Sequence, residues 1–423
     1  MPTDSLADLR PCLGYPAPQQ RTLDNGCPVT LLPLAEASVA CLQFWCQAGS
    51  WREQSGEAGI AHFLEHMVFK GSDGLPAGAF DHRVEAVGGQ SNAATGFDDV
   101  HYHVLLPPEG LSLALELLPR LVLTPGLQEQ DFQLERQVVL EELAQSEDQP
   151  EEVAFQQLLA LGCGQHPYGR PILGTREDLQ GMTPAAMGAF QSRHYRADRC
   201  AVAIGGRFDP EVVLQQLQSG PVGELPATTT AEAASAGLAV APGRHRVHLP
   251  RLESARLLML WAAPPAKAQQ QLSGLDLWTT ALAEGRSSRL VKRLREELQL
   301  VESIDLELHP LEDGSLMVLE AVCEPSQLEA VAQEVETLLQ QAAAGMSQAE
   351  LARARRLLEH GHRFSLEAIG PLTQMLGQTS LSRRLQSFDE PLQRLASWNS
   401  DSLKPLAAAL DPSLACILEV LPL

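Results

Sequence analysis

The chain has 423 residues, 44% of them apolar, which is too long for one ordinary core and ample for burial, so two or more domains are expected. Lys and Arg number 31 against 53 Asp and Glu, and a formal charge of −22 argues against a nucleic-acid surface and for cationic or neutral partners. Eight cysteines with no C-x-x-C pair indicate neither a thiolate zinc site nor a redox motif. With no basic start before an apolar core and no apolar run near the roughly 18 residues of a membrane span, a soluble cytoplasmic protein without a membrane partner is expected.

In chain order, residues 1–20 are Pro-rich and read as an extended arm. Arg21 to Leu32, with Asn25-Gly26 as the turn, reads as a hairpin, and Ser38 to Ala48 as a strand buried on both faces. Next comes Gly56 to Gly71, GEAGIAHFLEHMVFKG, centred on His62-Phe-Leu-Glu65-His66. In a helix, about 100° of rotation per residue puts His62, Glu65 and His66 within roughly a 100° arc of one face. Two imidazoles one turn apart can share a metal ion. A hydrolytic zinc site needs about three protein ligands and an open position for water. Glu65 points the same way without having to ligate, so it can hold the water and shuttle its proton. The order H-x-x-E-H is the zinc-protease arrangement with the glutamate on the other side. The apolar residues interleaved through the stretch also suit a buried core helix.

After Gly88-Gly89, the runs Gln90 to Thr95 and Asp99 to Leu106 alternate as strands; Leu111 to Leu123 and Glu129 to Ser146 read as helices, and His166 to Gly174 as a loop. The second of those helices offers Glu135 and Glu142, seven residues apart and so within about 20° on one face, with Glu141 about 100° away. Viewed alone, glutamates on such a helix are solvated charges. Glu141, Glu142, Glu147, Asp148, Glu151 and Glu152 crowd one segment, which could select Arg or Lys in a substrate or simply be a solvated helix end. The stretch Leu225 to Gly243 is small, Thr- and Pro-rich, and reads as a linker. Beyond it the second half echoes the first: Leu257 to Pro264 repeats Cys41 to Gly49 with Trp261 matching Trp45, and Leu275 to Ala283 replaces the metal helix without a histidine. Met346 to Leu358 repeats Leu127 to Val139. The expected division is a zinc-bearing domain at 1–224, a linker at 225–244 and a homologous non-catalytic domain at 245–423.

GSWREQSGEAGIAHFLEHMVFKGS, SNAATGFDDVHYHVLLP, ERQVVLEEL and HPYGRPILGT together resemble the insulinase/pitrilysin superfamily of zinc peptidases, the inverzincins, and most of all its short, mitochondrial-processing-peptidase-like branch. The resemblance implies an α+β fold of two homologous α/β-roll domains, each a mixed, largely antiparallel sheet with helices packed on it, forming one half of a clamshell. It implies Zn2+ held by His62, His66 and Glu142, Glu65 as general base, and Glu135 as a carboxylate behind the ligands. It implies that Ser91 to Thr95 is an edge strand on which an extended peptide pairs, with Asn92 and Ala93 presenting backbone groups. Active single-chain relatives carry an Arg and, seven residues later, a Tyr that grip the substrate; this chain keeps Arg295 but has Glu302 at the Tyr position. An ionised carboxylate cannot donate a hydrogen bond to a scissile carbonyl. The implied function is a zinc-dependent endopeptidase acting on extended peptides in an enclosed chamber, the zinc-bearing subunit of a heterodimer with a homologous chain, or else a homodimer. A non-catalytic structural or assembly subunit of the same fold is the alternative.

Overall fold

The computed structural model describes residues 14–227 and 237–423; most of the expected N-terminal arm and residues 228–236 of the expected linker lie outside them. Strand alternation organises the first half. In β3 (Ala40–Cys46), Ala40, Leu42, Phe44 and Cys46 turn to one face while Trp45 turns to the other, and every residue of the strand is buried. Such a strand needs a layer on each side. Around it, β1 (Gln19–Thr22), β2 (Pro28–Pro33), β4 (Gln90–Thr95), β5 (Val100–Leu106) and β6 (Cys200–Gly206) form a sheet in the order β1-β2-β6-β3-β5-β4. The β1–β2 pair is the expected hairpin, β2 and β6 run parallel, and the other pairs are antiparallel.

The second half builds the same sheet less one strand. With β7 (Gly243–Leu249), β8 (Ala255–Ala263), β9 (Ser303–His309), β10 (Ser315–Cys323) and β11 (Cys416–Pro422), the order is β9-β10-β8-β11-β7, and again one pair, β7–β11, is parallel. β8 thus corresponds to β3, and β9 to the edge strand β4.

The helices follow the same repeat. On the front of the first sheet lie α1 (Ile60–Val68), α2 (Ala79–Ala86), α3 (Leu111–Leu123) and α4 (Glu129–Glu147). On the front of the second lie α6 (Gln269–Ala283), α7 (Leu328–Ala343) and α8 (Gln348–Ser365), with α8 packed on α6 as α4 is on α1. Between α4 and α6 in the chain, α5 (Pro150–Cys163) crosses to the rear of the second sheet, where Ala154, Leu158 and Leu159 meet Leu258, Leu260 and Leu418. Reciprocally, α9 (Ile369–Leu381) crosses to the rear of the first, where Leu372 and Leu376 cover Leu32 and Ala203, and Leu381 covers Trp45 and Ala201.

The repeat corrects one expected correspondence. Trp261 faces the front layer of its sheet, whereas Trp45 faces the rear layer. The rear-facing counterpart of Trp45 is Leu260, since Gly377 of α9 lies on Trp45 and Gly162 of α5 lies on Leu260. A one-residue slip between two similar sequences is enough to exchange faces in a strand.

Candidate metal centre

The helix α1 is short, and its start is fixed by contacts that neighbouring sequence does not display. Gly59 precedes it with φ 91°, a conformation that suits glycine, and a Cβ there would stand 2.6 Å from the Leu173 carbonyl oxygen. The loop at 166–174 therefore docks on this end of the helix. The two oxygens of Glu53 accept the backbone N–H groups of Gly59 and Ala61 at 3.1 and 3.0 Å, capping donors that have no partner within the helix. Ile60, Ala61, Phe63, Leu64, Met67 and Val68 then anchor α1 in the core, leaving His62, Glu65 and His66 on the remaining face.

Across from that face α4 brings Glu142. His62 Nε2 stands 3.7 Å from Glu142 Oε1, and His66 Nε2 stands 3.3 Å from Glu142 Oε2. One ligand atom from each of the three residues lies within 4.8 Å of the others. Ligand atoms about 2.0–2.1 Å from a tetrahedral zinc ion are about 3.3 Å apart, so this donor set fits zinc. Burial, reinforced by His66, pushes the His62 imidazole down to about 4, which leaves it neutral as a ligand must be. Burial alone would depress His66 too, but the hydrogen bond it donates to Glu135 and the charges of Glu142, Glu135 and Glu65 outweigh it and raise its pKa.

Glu135 does not join the ligands. Its Oε1 lies 2.9 Å from His66 Nδ1 and its Oε2 lies 2.5 Å from Lys70 Nζ. Burial raises this carboxyl, yet the bonds to His66 and Lys70 bring it below the usual glutamate range. Glu65 is separate again: burial raises its pKa against the opposing hydrogen bond from Thr95 Oγ1, 2.5 Å from Glu65 Oε2. Thr95 ends β4, the edge strand of the first sheet, so the glutamate is tied to that edge. On β4, the Ala93 N–H is held by the Asn92 side-chain oxygen at 2.9 Å, which marks it as a donor turned away from β5.

The other expected residues lie in the second half. Arg295 sits in a π-helical stretch, Val291–Glu297, and pairs with Glu296 at 3.0 Å. Glu302 is exposed and accepts the Ser254 hydroxyl at 2.9 Å. The spacing of His62, Glu65 and His66 recurs on α6 as Asp276, Thr279 and Thr280, which line an 830 Å³ cleft with β9 and α8. Burial pushes Asp276 up to about 6, and hydroxyls have taken the places of imidazole and carboxylate. The acidic run after Glu142 is largely engaged: Glu147 pairs with Arg176, Asp148 with Arg251 and Glu151 with Arg256, all at 2.8–2.9 Å. Glu152 takes the Ser146 hydroxyl and borders an apolar groove of 520 Å³ with Leu143, Val153 and Leu173. Sequence reasoning missed Glu53, Lys70 and Thr95; only Lys70, four residues past His66 and so on the same helical face by extrapolation, left a usable signal.

Comparison with known proteins gives concordant results. A family model described as insulinase (peptidase family M16) matches residues 30–176, and one described as the peptidase M16 inactive domain matches residues 181–358. An uncharacterized zinc protease of Mycobacterium leprae is 29% identical over 92% of this chain and 88% of its own. One of Mycobacterium tuberculosis is 29% identical over 97% and 94%. The probable mitochondrial-processing peptidase subunit beta of Arabidopsis thaliana is 26% identical over 96% of this chain and 78% of its own. Among solved structures, a protease from Helicobacter pylori shares the fold with a TM-score of 0.89 at 24% identity, covering 96% of this chain and 100% of that one.

Proposed function

Because the chain belongs to the insulinase family of peptidases, family M16, we propose that it is a zinc-dependent endopeptidase in which His62, His66 and Glu142 hold the ion. The observation that carries the reading is the convergence of those three side chains beside Glu65, on a helix that borders the edge strand β4. Zinc, when bound, supplies the Lewis acidity that makes water a nucleophile near neutral pH. An extended peptide adds to β4, with the Ala93 N–H released from Asn92 to pair with it, and main-chain pairing tolerates many sequences. Glu65, partly desolvated and steadied by Thr95, takes a proton from the attacking water and returns it to the leaving amine. His66 is oriented by Glu135 through Nδ1.

Glu65→Gln removes the base but no ligand, so zinc should stay bound while turnover falls by roughly two orders of magnitude or more. Glu142→Gln should lose the metal as well. Near-normal turnover in Glu65→Gln would remove the base assignment.

A heterodimer is the reading best supported for the working assembly. Arg295 is occupied by Glu296, and Glu302 offers an acceptor where a donor is wanted, so the second half is not equipped to hold a scissile carbonyl. A homologous chain carrying the donor would complete the chamber.

A further inference from the structure

We infer that Lys70 is a positioning residue for the metal centre: by clamping the far oxygen of Glu135 it fixes the carboxylate that orients His66. The inference rests on the reading of His62, His66 and Glu142 as ligands. A Lys–Glu pair exposed on both sides contributes little, because water and salt screen it. The geometry here differs. Glu135 has a side chain only 7% exposed, and its two oxygens serve different partners, Oε1 toward His66 Nδ1 at 2.9 Å and Oε2 toward Lys70 Nζ at 2.5 Å. A carboxylate held at one oxygen can turn about its terminal torsion, which has a broad, roughly two-fold profile, and exchange the oxygen it presents. A second bond from the opposite side removes that freedom. With Oε1 held in place it accepts the Nδ1 proton of His66, and the Nε2 lone pair is left facing Glu142 Oε2, 3.3 Å away.

The chain places Lys70 where it can do this. The N–H of Lys70 bonds the carbonyl of Met67, so the residue turns off the end of the helix that carries both histidines. Its side chain, 35% exposed, runs along that end and delivers the ammonium to α4. The same contact ties α1, which supplies two ligands, to α4, which supplies the third. Supporting groups of this kind alter metal affinity by about 10–100-fold when removed.

The test uses the full chain with Lys70→Met, Lys70→Arg, Glu135→Gln and the Lys70→Met/Glu135→Gln pair, measuring zinc affinity by chelator competition and the thermal unfolding of the metal-free protein. Lys70→Met should weaken zinc about tenfold without lowering the metal-free unfolding temperature, and Lys70→Arg should restore affinity to within about threefold. In the Glu135→Gln background, Lys70→Met should add nothing. Unchanged zinc affinity in Lys70→Met, or the same loss with and without Glu135, overturns the inference. If Lys70→Met fails to fold, Lys70→Gln is judged by the same criteria. His62→Ala separates the two levels: if it loses zinc while Lys70→Met keeps it, only the role of Lys70 falls; if it keeps zinc, the ligand reading falls with it.

Discussion

Gly377 in α9 is the position at which the smallest change should have the largest structural effect. A Cβ there would stand 2.0 Å from Nε1 of Trp45, 2.5 Å from Cδ1 and 2.6 Å from Cε2. The indole cannot yield. It is 1% exposed, donates from Nε1 to Gln43 Oε1 at 2.8 Å and stacks on His101 with ring centroids 4.2 Å apart. Normal carbon contacts are about 3.5–4.0 Å, so Gly377→Ala has to lift α9 or tilt the ring by more than 1 Å, and overpacking of a rigid core costs about 1–3 kcal/mol. Losing the Trp45–Gln43 bond adds about 1 kcal/mol. The expected destabilisation is about 3 kcal/mol, read from urea denaturation followed by far-UV circular dichroism. The counterpart Gly162→Ala meets Leu260 Cδ2 at 2.6 Å, the far end of a side chain that can rotate away, and should cost only about 1 kcal/mol. In a Trp45→Val background, where room exists, Gly377→Ala should cost less than about 1 kcal/mol. An equal cost in both backgrounds, or a loss below about 0.5 kcal/mol in the parent chain, would refute the packing argument.

Three further outcomes are expected. Asp99 lines a 660 Å³ cavity between the two sheets together with Asp98, Glu312, Arg52, Lys267 and Arg384, and burial, then Asp98 and Glu312, push its carboxyl up to about 7. The folded value lies above the unfolded one, so its contribution to stability is complete below about pH 4 and is lost as pH rises through 7; Asp99→Asn should flatten that fall by up to about 4 kcal/mol, and parallel stability–pH curves for the two proteins would count against it. Glu152 borders the apolar groove, where the neighbouring Arg176 is engaged by Glu147, so Glu152→Gln should lower the preference for a peptide with Arg or Lys over one with Gln by about fivefold, as a partly exposed ion pair allows. Equal kcat/KM ratios before and after the change would dismiss the groove as a cation site. Finally, the zinc-loaded chain alone should cleave peptides slowly and gain activity from a homologous partner that carries the missing donor, or in part from Glu302→Tyr; full activity alone, unchanged by either, would remove the division of labour.

The sequence reading succeeded where the signal is local and periodic. Leu111–Leu123 is a helix over the expected residues because its apolar face repeats without interruption, and Gln90–Thr95 is a strand over the expected residues because Gly88-Gly89 and Gly96 bound its run. The gathering of His62, His66 and Glu142 was legible because H-x-x-E-H fixes two of them by helical geometry alone. The third needed the resemblance, since Glu135 and Glu142 share a face of α4 and only tertiary packing sends one to His66 and Lys70 and the other between both imidazoles. What escaped depended on partners distant in sequence. The acidic run left two readings open, a cation selector or a solvated helix end, because Arg251 and Arg256, which engage Asp148 and Glu151, arrive from a turn and a strand about a hundred residues later. The Trp45–Trp261 match failed for a related reason: both halves bury an aromatic in the same strand, but which face it takes depends on which crossing helix it meets.

The reciprocal crossing of α5 and α9 makes the two sheets mutual hostages. Each sequence half contains the rear layer of the other half's sheet and lacks its own. A piece ending near residue 227 would leave Leu32, Trp45, Ala201 and Ala203 bare to water, and a piece starting near residue 237 would do the same to Leu258, Leu260 and Leu418. Neither piece should survive by itself as a soluble folded body. Produced together, however, they carry complementary surfaces, so a chain severed between its halves should reassemble by trading helices, like two hands of an interlaced grip.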